Sequence, residues 1–113
     1  MALEQLDFRQ HEGAVVAQLR GEVDISNARS VRERLLGAVP NTATALVLDL
    51  SGAAYLDSSG VRLIFELAGR LRSRGQKLEL VVPDDSMIKR VLVLTEVEQV
   101  VPLSSSVQAA LQG

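Results

Sequence analysis

The run Ala45-Leu46-Val47-Leu48-Asp49-Leu50, continued by Ser51-Gly52-Ala53-Ala54-Tyr55-Leu56 and then Asp57-Ser58-Ser59-Gly60, decides how the rest of the chain is read. Leu46 to Leu50 is a short apolar run of the kind that forms a fully buried strand. Asp57, Ser58 and Ser59 are each suited to cap a helix, and the residues that follow have helical spacing. Val61, Ile64, Phe65, Ala68 and Leu71 fall on one face; Arg62, Glu66, Arg70 and Ser73 fall on the other. Gly75 supplies a residue that tolerates the left-handed angles of a helix end. A strand, a loop presenting two serines, and a helix are therefore expected in that order. Unpaired backbone N–H groups and the positive end of the helix dipole would meet at that loop, a setting that favours a phosphate on a serine.

Upstream, Leu6-Asp7-Phe8-Arg9-Gln10 alternates apolar and polar residues as a half-buried strand does, and His11-Glu12-Gly13 reads as a turn. Val15, Ala17 and Leu19 then alternate with Val16, Gln18 and Arg20, so the two strands form an antiparallel hairpin. Gly21-Glu22-Val23-Asp24 leaves the second strand, and Ser26 or Asn27 caps a helix whose apolar stripe is Ala28, Val31, Leu35 and Leu36. Downstream of Gly75, Leu78, Leu80 and Val82 alternate in a further strand. A helix carrying Met87, Ile88, Val91, Leu92 and Leu94 follows, with Met87 and Phe65 expected in the core. Gln99 to Leu103 reads as a short edge strand holding Pro102, and Ser104 to Ser106 as the cap of a last helix rather than as extra phosphosites. The expected fold is a single compact α/β domain over 1–113. Its mixed sheet has an N-terminal antiparallel hairpin and later parallel strands, packed against amphipathic helices.

A chain of 113 residues, 47% hydrophobic, can bury a core of its own. Aromatic residues make up 3%, too few for base-stacking platforms, and a net charge of −2 gives no general pull toward nucleic acid or anionic membranes. Arg62, Arg70, Arg72, Arg74 and Lys77 gather on one helix and its exit, where a solvated, salt-bridged face is the simpler reading. Without cysteine there is no disulfide, thiolate nucleophile or zinc-cysteine site, and no cofactor or metal is expected. Met1 to Gln5 lacks the parts of a signal peptide and no run approaches a membrane span, so a cytoplasmic location is expected. With every helix stripe assigned to the sheet, a monomer is expected.

A serine hydrolase would need a base beside its nucleophile. The one histidine, His11, sits in an early turn, and Leu56-Asp57-Ser58-Ser59-Gly60 does not fit the Gly-x-Ser-x-Gly elbow. On physical grounds alone Asp57-Ser58-Ser59 is a helix cap, Asp24 a turn residue, and Arg62 the partner of Glu66 one helical turn away.

Two segments together change that weighting. Gly21-Glu22-Val23-Asp24 before an amphipathic helix, and Leu48-Asp49-Leu50 followed by Tyr55-Leu56-Asp57-Ser58-Ser59-Gly60-Val61, resemble the STAS domains of bacterial anti-sigma factor antagonists. The resemblance implies a non-enzymatic regulator. When unphosphorylated it would bind an anti-sigma factor with serine kinase activity, and phosphorylation would switch it off, with a serine phosphatase to reset it. It assigns phosphorylation to Ser58 and places Asp24, Asp57, Ser58, Ser59 and Gly60 at the partner-binding surface, with Ser59 helping to cap the helix and Gly60 letting it start tightly. Arg62, one turn from Ser58, is counted with them as a residue able to steer the partner. The same resemblance admits an alternative: a constitutive STAS interaction subunit of a phospholipid-transport or stress-signalling complex.

Overall fold

The computed structural model describes residues 3–112. Strand β1 (Glu4–His11) turns through Glu12-Gly13 into β2 (Ala14–Val23). Both turn residues have positive φ, 47° and 88°, the conformation that a two-residue hairpin loop requires. Helix α1 (Ala28–Gly37), strand β3 (Ala45–Leu56), helix α2 (Ser58–Ser73) and strand β4 (Lys77–Val81) come next. The chain ends with α3 (Met87–Leu94), a short 3-10 turn (Val97–Gln99), β5 (Leu103–Ser104) and α4 (Val107–Gln112). The sheet order is β1-β2-β3-β4-β5, antiparallel between β1 and β2 and parallel thereafter. The expected mixed α/β sheet is the one observed.

Alternation along the strands sends their side chains to two unequal cores. Val15, Ala17 and Leu19 of β2 and Leu46, Leu48 and Leu50 of β3 meet α1 through Val31 and Leu35, α2 through Ile64, Leu67 and Leu71, and α3 through Ile88 and Leu92. On the opposite face Val16, Val47 and Val81 meet only Ala110 of α4, with Val107 and Leu111 beside it. Helix α2 buries Leu63 and Leu67 as well as Val61, Ile64, Ala68 and Leu71 of the predicted stripe, because it packs on α1 and on the sheet at once. Gly75 ends it with φ 74°, as its position predicts.

Several expectations need correction. Strand β3 does not give way to a loop after Leu50. It runs on to Leu56, paired only with β2 from Gly52 onward, since β4 stops at the Asp49–Val81 pair. Backbone pairing needs no apolar side chains, so the end of the apolar run did not mark the end of the strand. Gly21 to Val23 likewise stay in β2, through register shifts between Gln18 and Arg20 and between Gly21 and Glu22. The predicted Gln99–Leu103 strand is a 3-10 turn ending at Gln99 and a two-residue β5, with Pro102 just ahead of it.

Met87 is 66% exposed and Leu94 76% exposed, although both were placed on the apolar face of α3. Eight residues present one stripe, and Ile88 with Leu92 fills it. Phe65 is half-buried against the main core. Asn27 precedes α1 but its side chain does not cap it; Ser106 does cap α4, accepting from the Ala109 amide at 3.1 Å.

Candidate functional site

The two motif segments meet at the carboxyl ends of neighbouring parallel strands, through residues more than thirty positions apart in sequence. Val23 lies opposite Leu56, and the Asp57 amide donates to the Val23 carbonyl at 3.2 Å. Open α/β sheets present their functional loops at this edge.

The helix start is organised by Asp57 alone. Its Oδ1 accepts from the Ser59 amide at 2.8 Å and the Gly60 amide at 3.2 Å. With its own amide bonded to Val23, this leaves only the Ser58 amide free among the first-turn donors. Ser58, the first helical residue, is exposed, and its hydroxyl makes no hydrogen bond among the described residues. Ser59 is half-buried and is not a capping side chain. Of the helix amides expected to stand open to a phosphate on Ser58, the Asp57 carboxylate already holds two. Asp57→Ala should lower stability by about 1–2 kcal/mol in a urea titration, while Asp57→Asn keeps most of it, since the amide oxygen can also accept. An unchanged midpoint for Asp57→Ala would remove the cap from the account.

Gly60 is buried where α2 comes closest to the strands. A Cβ there would sit 3.1 Å from Leu56 Cδ2 and 3.5 Å from Val23 Cβ. The glycine is needed for this close approach of helix to sheet, a more specific reason than an easy helix start.

Asp24 shapes the facing loop. Its Oδ1 accepts from the Ser26 amide at 2.8 Å and from the Ser26 hydroxyl, and its own amide donates to Asn27 Oδ1 at 2.9 Å. The Ser26 hydroxyl, then the Ser26 and Asn27 amides, hold its carboxyl below the ordinary carboxylate range. Asn27 Nδ2 reaches back to Glu4 Oε1 at 2.8 Å and the Glu22 carbonyl at 2.9 Å, tying the loop to β1 and β2. Asp24 is thus a turn residue in its contacts, with its neighbour Ile25 thrust outward at 84% exposure.

Arg62 does not pair with Glu66. Glu66 Oε2 instead accepts from Arg32 Nη1 of α1 at 3.1 Å, joining the two helices. Arg62 is exposed and makes no ion pair among the described residues. It lines a cleft of about 310 Å³ between α1 and α2, with Ile25, Arg29, Arg32, Ser59, Leu63 and Glu66 around it. Ile25, Arg29 and Arg32 were missed from sequence; the one available signal was an isoleucine inside the polar turn Asp24-Ile25-Ser26-Asn27. The arrangement can offer a hydroxyl, an apolar knob and a cationic cleft to another molecule. His11 ends β1 beside Ala14 and so lies at the opposite end of the sheet, out of reach as a base for Ser58. No helix is long and apolar enough to cross a membrane among the described residues.

Known proteins resemble this chain in sequence and in fold. The anti-sigma-F factor antagonist RsfB of Mycobacterium tuberculosis is 32% identical over 104 residues, covering 91% of this chain and 83% of RsfB. The crystal structure of an anti-sigma factor antagonist from Mycobacterium paratuberculosis has the same fold, with a TM-score of 0.85 at 24% identity over 96% of this chain and 92% of that one. The Bacillus cell fate determinant SpoIIAA, solved in phosphorylated form, shares the fold with a TM-score of 0.68 at 20% identity over 96% of this chain and 97% of SpoIIAA. The STAS domain family matches residues 5–110, which takes in β2, β3 and the whole Ser58 edge, and this chain belongs to that family.

Proposed function

We propose that this chain is an anti-sigma factor antagonist that acts in the cytoplasm as a binding protein and not as an enzyme. Its unmodified Ser58 edge docks on an anti-sigma factor with serine kinase activity, freeing a sigma factor. Phosphorylation of Ser58 ends the interaction, and a serine phosphatase restores it. The observation that carries the reading is the idle hydroxyl of Ser58: Asp57 does the capping, so Ser58 stands exposed without a structural task. The name of RsfB and the phosphorylated form of SpoIIAA support the same reading.

The docking edge comprises Asp24, Asp57, Ser58, Ser59, Gly60 and Arg62, widened by Ile25, Arg29 and Arg32. Exposed Ile25 offers an apolar anchor, and the unpaired Arg62 guanidinium steers an acidic group into the cleft.

Mass-spectrometric phosphosite mapping of the protein from its native host, under stress and without it, tests the switch. Trypsin releases Leu35 to Arg62 as one peptide containing Ser51, Ser58 and Ser59, which fragmentation distinguishes. Phosphate on Ser58 that varies with condition is the expected result. A peptide unmodified under every condition, with transporter or stress-complex subunits copurifying, would replace the switch by a constitutive STAS interaction subunit.

A further inference from the structure

Strand β1 is the outer strand of the sheet and pairs only with β2 among the described residues. Which of its backbone groups point outward follows from one bond. The Glu22 amide donates to the Leu3 carbonyl at 3.1 Å, so Leu3 and Glu22 are a hydrogen-bonded pair of the antiparallel ladder. Hydrogen-bonded pairs alternate with non-bonded ones, so Gln5, Asp7, Arg9 and His11 are the residues bonded to β2. Glu4, Leu6, Phe8 and Gln10 then direct their N–H and C=O groups away from the sheet. An open edge of this length is a template for another strand.

The side chains of β1 specify which strand. Natural edges are blunted by like charges, proline or bulges, yet β1 pairs with β2 in unbroken register, contains no proline and carries Phe8 at 43% exposure. Its charges are self-complementary. An antiparallel copy of β1 centred on Phe8 sets Phe8 opposite Phe8 and Leu6 opposite Gln10. All three are outward-bonding positions, so each pair can exchange both backbone bonds. In the non-bonded positions between them, where opposing side chains approach most closely, Asp7 falls opposite Arg9 of the second copy, twice by symmetry. Centring on Leu6 would set Asp7 opposite Gln5 and give up both ion pairs. We propose that a second copy of this chain docks on β1, forming a two-fold dimer with a continuous ten-stranded sheet centred on Phe8.

The sequence expectation of a monomer weighed the helix stripes and not the sheet edge. A strand pair of this length buries less than about 1,200 Å² in all, so the dimer belongs with transient interfaces and forms at high protein concentration. It leaves both copies of Ser58 accessible. Ser58 follows β3 at the end of the sheet where β1 begins, and a two-fold axis through Phe8 sends these ends in opposite directions. The dimer is therefore independent of the switch proposed above.

Sedimentation velocity of the purified chain at rising concentration tests this. The mass is expected to climb from 12.2 kDa toward twice that value. Asp7→Arg and Arg9→Asp each place like charges opposite one another and should hold the protein at single-chain mass throughout. The double variant Asp7→Arg/Arg9→Asp restores the complement and should dimerise again. Asp7 and its intrachain partner Arg20 are each 53% exposed in their side chains and 3.8 Å apart, so the reversals leave the fold intact, which circular dichroism verifies. Amide exchange gives a second readout: the Leu6, Phe8 and Gln10 amides should slow as concentration rises. A wild-type mass that stays at one chain overturns the proposal. So does dimerisation of the single variants equal to wild type, or a double variant that remains monomeric.

Discussion

Phosphate on Ser58 is expected to weaken binding to a kinase-type anti-sigma factor about a thousandfold, while Ser58→Ala binds as wild type and resists the kinase. The magnitude follows from where the charge would sit. A phosphoserine carries close to two negative charges and three acceptor oxygens. The Ser59 and Gly60 amides that would receive them are committed to Asp57, whose carboxylate becomes a repulsive neighbour. Arg62, one turn along α2 and without an ion pair among the described residues, is the nearest cation on the helix, but it also lines the cleft proposed to receive the partner. Docking would therefore bury a charge with incomplete compensation against a surface shaped for a hydroxyl. Such a burial costs several kcal/mol, and about 4 kcal/mol corresponds to a thousandfold in Kd. Calorimetric titration of unmodified, phosphorylated and Ser58→Asp protein into the anti-sigma factor measures it. Ser58→Asp should fall between the other two, because a carboxylate has one charge and a different shape. Equal affinity across the three would refute the electrostatic account. The free protein should keep its melting temperature nearly unchanged on phosphorylation, since an anion at a helix N-terminus gains about 0.3–1 kcal/mol and repulsion from Asp57 offsets that gain.

Gly21→Ala is expected to destabilise the fold by roughly 3 kcal/mol or more, a large share of the 5–15 kcal/mol typical of a domain. Two penalties coincide. Gly21 has φ 97°, where a side chain is strained by about 1–3 kcal/mol. A Cβ there would also lie 2.3 Å from the Leu3 carbonyl oxygen, a backbone atom that cannot rotate away and that accepts the Glu22 amide. Relief would require parting the start of β1 from β2, close to the Asp24 loop. The informative control is Gly69→Ala in the exposed middle of α2, where a Cβ meets nothing within 4 Å. Alanine favours a helix interior over glycine, so this variant should gain up to about 1 kcal/mol. Urea denaturation of both compares them directly. A Gly21→Ala midpoint equal to wild type would show that the β2 bulge does not depend on glycine.

These two glycines also mark how far the amino-acid order could be read. Element type and succession were legible because they rest on local periodicity: the strand alternation of β2, the helical stripe of α2, and Gly75 at its end. The pairing of Asp24 with the Asp57-Ser58 edge came from motif resemblance, and its physical cause is the parallel register that sets Val23 against Leu56. Register is a property of two strands together, so no window of one segment contains it. The same holds for the extension of β3 to Leu56. Ser51 to Ala54, which carry it there, are polar or small and are strand only because β2 is alongside.

Side-chain partners were the least accessible. Arg62 and Glu66 are ideally spaced on one helix, yet Glu66 takes Arg32 from another, and Arg62 is left facing the cleft. Met87 has every hydropathic reason to be inside, but an eight-residue α3 turns only one stripe to the sheet. Sequence by itself determined the class of fold, the succession of its elements and the local cap at the start of α2, because backbone conformation and hydrophobic patterning act over a few residues. Only tertiary structure decided that Gly60 must be a glycine, that Glu66 pairs with Arg32 rather than Arg62, and which sheet edge stays open, because each depends on what a distant segment places alongside.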